Sequence, residues 1–220
     1  MSKERIVKIP CPFCGKESDF LVYDSVNVTL DPELKQKVID LDIFEFTCEH
    51  CHNTKFLPYP CLYHDMERNY MVYLCNEEGI KEWKELDPLE QLMSSYSVQM
   101  EYIKRGVTNY FDLISKINIL DKGWDDKIVE LIKYDCISSV MRERIRNGKL
   151  DDLMYSVVED IDNEEKMYIS LYFENQEDAE CYVIDAECYN SFKQLYQDML
   201  CDDGEILIDD KLEWYCPNCG

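Results

Sequence analysis

The chain has 220 residues, 46% apolar and 12% aromatic, and a formal charge of -23. That length and apolar share allow a buried core in one large domain or two small ones, and no apolar run approaches the roughly 20 residues of a membrane helix. Met1 to Pro10 alternates charged and aliphatic residues without a signal-peptide core, so the expected compartment is the cytoplasm, where twelve cysteines point to metal sites and buried thiols before disulfides.

Glu4 to Ile9 alternates as a strand leading into Cys11-Pro12-Phe13-Cys14-Gly15. Asp31-Pro32-Glu33 combines an N-cap, a proline suited to the first helical position and an acid in the first turn, which predicts a short helix from Pro32 to about Ile39. Ile43 to Phe46 is a second strand, leading into Cys48-Glu49-His50-Cys51. Further strands are expected at Lys55 to Leu57, Cys61 to His64 and Tyr70 to Leu74, with Glu67-Arg68-Asn69 near a turn. Ser97 to Lys104 reads as another strand, and Thr108 opens a helix reaching about Leu120.

The next helix is more strongly marked. Asp125 and Asp126 lie in its first turn, Ile128, Leu131, Ile132 and Cys136 recur at helical spacing, and Arg142, Arg144 and Arg146 precede the Asn147-Gly148 stop. Acids first and bases last complement the helix dipole. Strands follow at Leu153 to Val158, Met167 to Phe173 and Cys181 to Ile184, then a helix from about Cys188 to Leu200 and a strand at Glu205 to Ile208. The class is therefore α+β: an N-terminal β zinc ribbon with a helical extension, then a small acidic α+β unit.

Charge marks the expected boundary. Residues 1 to 75 carry 8 basic and 12 acidic groups, residues 76 to 150 carry 12 and 14, and residues 151 to 220 carry 3 and 20. This step places one domain at 1–147 and an acidic domain at 148–220.

Two Cys-x-x-Cys turns meeting across a sheet supply four thiolates in pairs, the soft tetrahedral set that zinc takes at about 2.3 Å. Cys11, Cys14, Cys48 and Cys51 are the expected ligands of one structural zinc ion. In the first turn Pro12 stiffens the backbone and Gly15 permits a positive φ. The second turn lacks both, with Glu49 inside it and His52 after it. The 33 residues between Cys14 and Cys48 exceed the roughly 15 to 20 of a compact ribbon, and the Pro32 helix accounts for the excess. Unrelated thiols or a redox couple are the competing reading; paired turns in a reducing compartment favour the metal. His50 and His52 flank Cys51 and would break the pairwise spacing, which places them beside the site or in solvent.

The run Cys-Pro-x-Cys-Gly, then Asn27-Val28, Asp31-Pro32-Glu33-Leu34, the second Cys pair, Tyr59-Pro60 and Leu62-Tyr63-His64-Asp65-Met66 resembles the CpXC family of bacterial zinc-ribbon proteins. Gly123-Trp124-Asp125-Asp126-Lys127-Ile128-Val129-Glu130 looks like the second half of the same family. The resemblance covers roughly Cys11 to residue 135. It implies a ribbon followed by a helical α+β part and brings no activity with it.

The chain closes on Cys216-Pro217-Asn218-Cys219-Gly220, the pattern of the first turn repeated. Two readings stand: a second metal site completed by Cys181, Cys188 and Cys201 or by another chain, and a pair of free thiols. Tyr63-His64-Asp65 suggests an acid-base pair, but neighbours on a strand face opposite ways, so His64 and Asp65 are not expected to meet. Asp160, Asp162 and Asn163 hint at a calcium loop that fails, with Glu165 where glycine is needed and Leu171 where a bidentate acid is needed. Arg142, Arg144, Arg146 and Lys149 fit a helix C-terminus, a phosphate contact or a dock for the acidic segment. Tyr168, Tyr172, Phe173 and Tyr182 are expected to face a core.

Two functional classes follow. In the first the protein is an acidic interaction module that meets a basic protein or surface, with zinc serving the fold. In the second it is a transcription-related or nucleic-acid-binding ribbon, which the charge opposes because phosphate contacts need lysine and arginine. An enzyme with a site near Tyr63-His64-Asp65 ranks third, for want of a nucleophile. Oligomeric state is not readable from these features.

Overall fold

The computed structural model describes residues 1–86, 102–149, 152–160 and 165–200, and the backbone of Leu207–Ile208. Among these residues there are five α-helices and three sheets, an α+β arrangement. The chain forms two compact units, one of residues 1–110 with 205–208 and one of residues 111–204 with 209–220.

The first unit is built on a six-stranded sheet. Strands β1 (Lys3–Pro10) and β2 (Glu17–Asn27) form an antiparallel hairpin around the first Cys turn. Helix α1 (Glu33–Ile39) and a short 3-10 turn (Asp42–Phe44) lead to a separate small hairpin, β3 (Glu45–Thr47) and β4 (Thr54–Phe56), around the second Cys turn. The chain rejoins the large sheet with β5 (Cys61–Asp65) and β6 (Tyr70–Leu74), passes through α2 (Glu77–Leu86) and continues into β7 (Ile103–Val107). With β11 (Leu207–Ile208) the order is β1-β2-β5-β6-β7-β11, so β1 forms one edge.

Two of these elements differ from the sequence reading. Strand β2 is 11 residues long, yet its alternation is masked because Ser18 is buried with Phe20 and Val22 while Leu21 is exposed. Helix α2 carries Gly79, which reads as a breaker. A Cβ there would lie 2.2 Å from Cys75 Sγ, so a larger residue would force that side chain to shift, and Asn76 caps the helix by accepting from the Gly79 amide at 2.9 Å. Residues 97–101 of the expected Ser97 strand lie outside the described residues.

The second unit packs helices against a three-stranded antiparallel sheet. Helix α3 (Tyr110–Asp121), α4 (Asp126–Arg146) and α5 (Ala186–Tyr196) accompany β8 (Leu153–Glu159), β9 (Lys166–Phe173) and β10 (Glu180–Asp185), in the order β10-β9-β8. Ile119, Ile128, Val129, Ile132, Val158, Met167, Ile169, Leu171, Phe173 and Ile184 share one core. Helix α4 before the charge step and the sheet after it fill this core together, so the step at Asn147-Gly148 falls inside a compact unit.

Arg144 shows how the acidic segment is held. It is buried, ion-paired to Glu180, and its guanidinium sits 3.7 Å from the centre of the Phe173 ring. Of the four arginines and lysines at this helix end, Arg144 therefore docks the acidic segment, whereas Arg142, Arg146 and Lys149 are exposed.

The Gly123–Glu130 run also has a structural account. Gly123 takes φ +72, Trp124 stacks on Tyr189 at 4.4 Å, and Asp125 caps α4 by accepting from the Lys127 amide at 3.0 Å. The aromatic strand residues divide by the two-residue period of β9. Phe173 is buried in the core and Tyr182 packs against it, but Tyr168 and Tyr172 occupy the other face, where Tyr172 stacks on Tyr155 at 4.4 Å. The expectation that all four face the core is corrected to that extent.

Candidate metal centre

The two hairpins deliver their turns to one point. The sulfurs of Cys11, Cys14, Cys48 and Cys51 all lie within 4.8 Å of one another. Cys11 Sγ is 3.7 Å from Cys51 Sγ and Cys14 Sγ is 3.8 Å from Cys48 Sγ, far beyond the roughly 2.05 Å of a disulfide. A tetrahedron of thiolates about 2.3 Å from a central ion has edges of about 3.8 Å. The spacing and the donor type thus fit a tetrahedral ion such as zinc.

The two turns are built alike despite their different sequences. In the first, the Gly15 amide donates to the Cys11 carbonyl at 2.8 Å and the Phe13 amide points at Cys11 Sγ at 3.4 Å. In the second, the His52 amide donates to the Cys48 carbonyl at 2.9 Å and the His50 amide points at Cys48 Sγ at 3.4 Å. Gly15 has φ +72 and His52 has φ +56, so a histidine occupies the left-handed position that glycine fills in the first turn. His50 Nε2 bonds the Glu17 carbonyl at 3.0 Å, tying the second turn to β2, and takes no place among the sulfurs.

A histidine in the left-handed region costs about 1–2 kcal/mol that glycine avoids. His52→Val adds a β-branched side chain to that conformation and is expected to weaken any metal binding at the four sulfurs about tenfold in chelator competition, whereas His52→Gly keeps the affinity.

The sulfurs differ in their surroundings. Cys11 and Cys48 are buried and Cys14 is exposed. The Ser18 hydroxyl, 3.3 Å from Cys48 Sγ, draws that thiol down to about 5 together with the amides of Cys51 and His50 and against the effect of burial. At Cys14 the Lys16 amide favours the thiolate, but loss of solvent and the sulfurs of Cys48, Cys11 and Cys51 outweigh it and push the thiol up to about 11. Four thiols this close resist ionising together, and a divalent cation removes the conflict.

Beneath the sulfurs lies a small apolar cluster of Cys11, Phe20, Val22, Phe46 and Cys48. Tyr59 closes it, with its ring edge-on to Phe20 at 5.7 Å and Phe44 at 5.0 Å. Its hydroxyl donates to the Ile43 carbonyl at 3.0 Å and accepts from the Tyr23 amide at 3.1 Å, linking β2 to the chain before β3. Ser18, Asn53 and Tyr59 received no role from the sequence. Asn53 Nδ2 lies 3.4 Å from Cys51 Sγ. None of the three belongs to a ligand motif, and only the pairing of the hairpins brings them to the site.

The other candidates are not members of this four-cysteine group. Cys201, Cys216 and Cys219 fall outside the described residues, while Cys181 is exposed on β10 and Cys188 is half-buried on α5. On β5, Asp65 is buried and closes the following turn, accepting from the amides of Glu67 at 2.9 Å and Arg68 at 3.0 Å. His64 faces the other way, with Nε2 3.4 Å from the Tyr102 hydroxyl, and burial pushes its pKa down. Asp160 pairs with Lys122 at 3.0 Å, and Asp162 and Asn163 lie outside the described residues.

A family model described as CpXC protein matches residues 9–133, which include both Cys turns, Tyr59 and the Gly123–Glu130 run. The chain belongs to the CpXC family. No curated protein and no solved structure matches it. The CpXC match runs from the first hairpin into α4 and so takes in residues of both compact units. No helix among the described residues is long and apolar enough to cross a membrane.

Proposed function

We propose that Cys11, Cys14, Cys48 and Cys51 hold one zinc ion whose role is to fasten the two hairpins, and that the protein serves as an acidic interaction module. The observation that carries the metal reading is the pair of sulfur–sulfur distances, 3.7 and 3.8 Å, which match the edge of a zinc–thiolate tetrahedron. With four protein ligands no position remains for a catalytic water, so zinc here neutralises and orients thiolates. The acidic reading is supported by the 20 acidic against 3 basic residues after position 150 and by the exposure of Glu174, Glu177, Asp178, Asp185, Glu187 and Asp198. Such a surface attracts a basic protein and repels nucleic-acid phosphate. Asp65 is engaged in its turn, and this gives the enzyme reading near Tyr63-His64-Asp65 no support.

Elemental analysis of the purified protein is expected to give one zinc per chain, unchanged when Cys216 and Cys219 are both replaced by serine. A metal-free chain that is fully folded overturns the structural role, and a stoichiometry of two that falls to one in the double variant reveals a second site. For the partner, the immobilised full chain is expected to retain basic proteins in a salt-sensitive manner. A salt-sensitive mobility shift of a mixed oligonucleotide pool would sink the acidic-module reading in favour of the nucleic-acid one.

A further inference from the structure

Among the described residues, strand β1 is an edge of the six-stranded sheet and is exposed along most of its length. Eight residues at an edge present unpaired backbone groups to any strand of matching pattern. One side of β1 carries Val7 and Ile9, which pack on the apolar cluster beneath the sulfurs. The other carries Glu4, Ile6 and Lys8, all exposed, and Ile6 retains 67% of its surface in solvent. Across the hairpin Ile6 pairs with Leu21, itself 42% exposed, and Lys8 pairs with Asp19. An acid, an aliphatic residue and a base at alternate positions form a self-complementary set.

Two copies of such an edge, related by a two-fold axis through the sheet, place residues opposite one another symmetrically about a central residue. Centring the pair on Arg5 or on Lys8 opposes each of those bases to its own copy, and centring it on Glu4 opposes the two acids. A centre at Val7 sets Lys8 against Ile6 and Glu4 against Pro10, with no charge pairs. Only the centre at Ile6 places Glu4 of each copy against Lys8 of the other, with Ile6 meeting Ile6 between them. That register also continues an apolar stripe across the seam, from Leu21 through the two Ile6 residues to the second Leu21. Opposite charges and aliphatic pairs directly across a strand pair both stabilise it, and like charges oppose it.

We propose that β1 is a homodimer edge, pairing antiparallel with β1 of a second copy about Ile6 and joining two six-stranded sheets. The occupant is a second copy because the exposed pattern is complementary to itself. The overall charge of -23 resists association, but it is concentrated after residue 150, whereas Lys3 to Lys8 holds three bases and one acid. The seam is narrow, so the dimer is reversible and concentration-dependent.

The test is sedimentation of the zinc-loaded full chain across a dilution series, with three variants whose fold is verified by circular dichroism. The wild type is expected to reach twice its 26.2 kDa mass on concentration. Glu4→Lys and Lys8→Glu each set like charges opposite at two symmetric places and should raise the dimer Kd about tenfold. The double exchange Glu4→Lys with Lys8→Glu restores both pairs and should bring the Kd back. A wild type that stays monomeric overturns the proposal, as does a dimer indifferent to the single changes. Failure of the double exchange to restore association overturns the register.

Discussion

Replacing Cys48 with serine is expected to release the metal and melt the β3–β4 hairpin while leaving the second unit folded. Structural zinc sites contribute on the order of 10–16 kcal/mol to folding, roughly 3 kcal/mol for each thiolate, so losing one ligand weakens zinc binding on the order of a hundredfold or more. Cys48 is the most exposed to this loss in energetic terms because it is fully buried, and Ser18 and the His50 amide are arranged around its sulfur. Strands β3 and β4 have three residues each and form a sheet of their own, which is marginal without the metal. Hydrogen exchange should therefore accelerate across Cys48 to Phe56, and zinc measured by chelator competition should fall. Amides of Asp126 to Arg146 should keep their protection. Cys181→Ser, on an exposed strand position of the second unit, should change neither quantity.

The four-cysteine cluster was legible because its chemistry is local: two pairs of thiols, each within a four-residue turn, announce themselves by spacing alone. The equivalence of His52 and Gly15 was not legible, since a left-handed φ leaves a mark in sequence only when glycine or asparagine supplies it. Strand β2 and helix α2 were missed for a different reason. Ser18 is buried beside a sulfur that a tertiary contact brings to it, and Gly79 packs on Cys75 four residues earlier, so each residue follows a specific contact and not the pattern of its element. The charge step after Asn147 was read as a division of the fold, but charge reports on surface and packing reports on core. Arg144 reaches from the end of α4 to Glu180 and Phe173, and that contact places the acidic strands in one core with the helix before them.

A buried charge network in the second unit had no sequence signature at all, and its disruption carries the other large expected effect. Lys116 on α3 is 2% exposed and its Nζ lies 2.9 Å from Asp126 and 3.2 Å from Glu130 on α4. Lys133 bonds the other oxygen of Glu130 at 2.6 Å and approaches Asp112 at 3.8 Å. Burial alone would push the Glu130 pKa up, but the ammonium groups of Lys116 and Lys133 outweigh it and hold the carboxyl below its usual range. Lys116→Met keeps the apolar stem and leaves Asp126 and Glu130 buried with one cation fewer, a loss of about 3–5 kcal/mol at neutral pH. The two proteins should then differ in their response to acid. In the wild type the depressed carboxyl contributes stability that is present above the unfolded carboxylate pKa of about 4.3 and is lost as pH falls through the folded value. In the variant Glu130 keeps Lys133 but loses Lys116, so burial pushes its carboxyl back up and less stability is lost as pH falls toward about 4. Urea unfolding followed by circular dichroism at neutral pH and near pH 4 should show the gap between the two proteins narrowing on acidification. A gap that is constant with pH would mean that Lys116 acts through its packing and that the network carries no net electrostatic stabilisation.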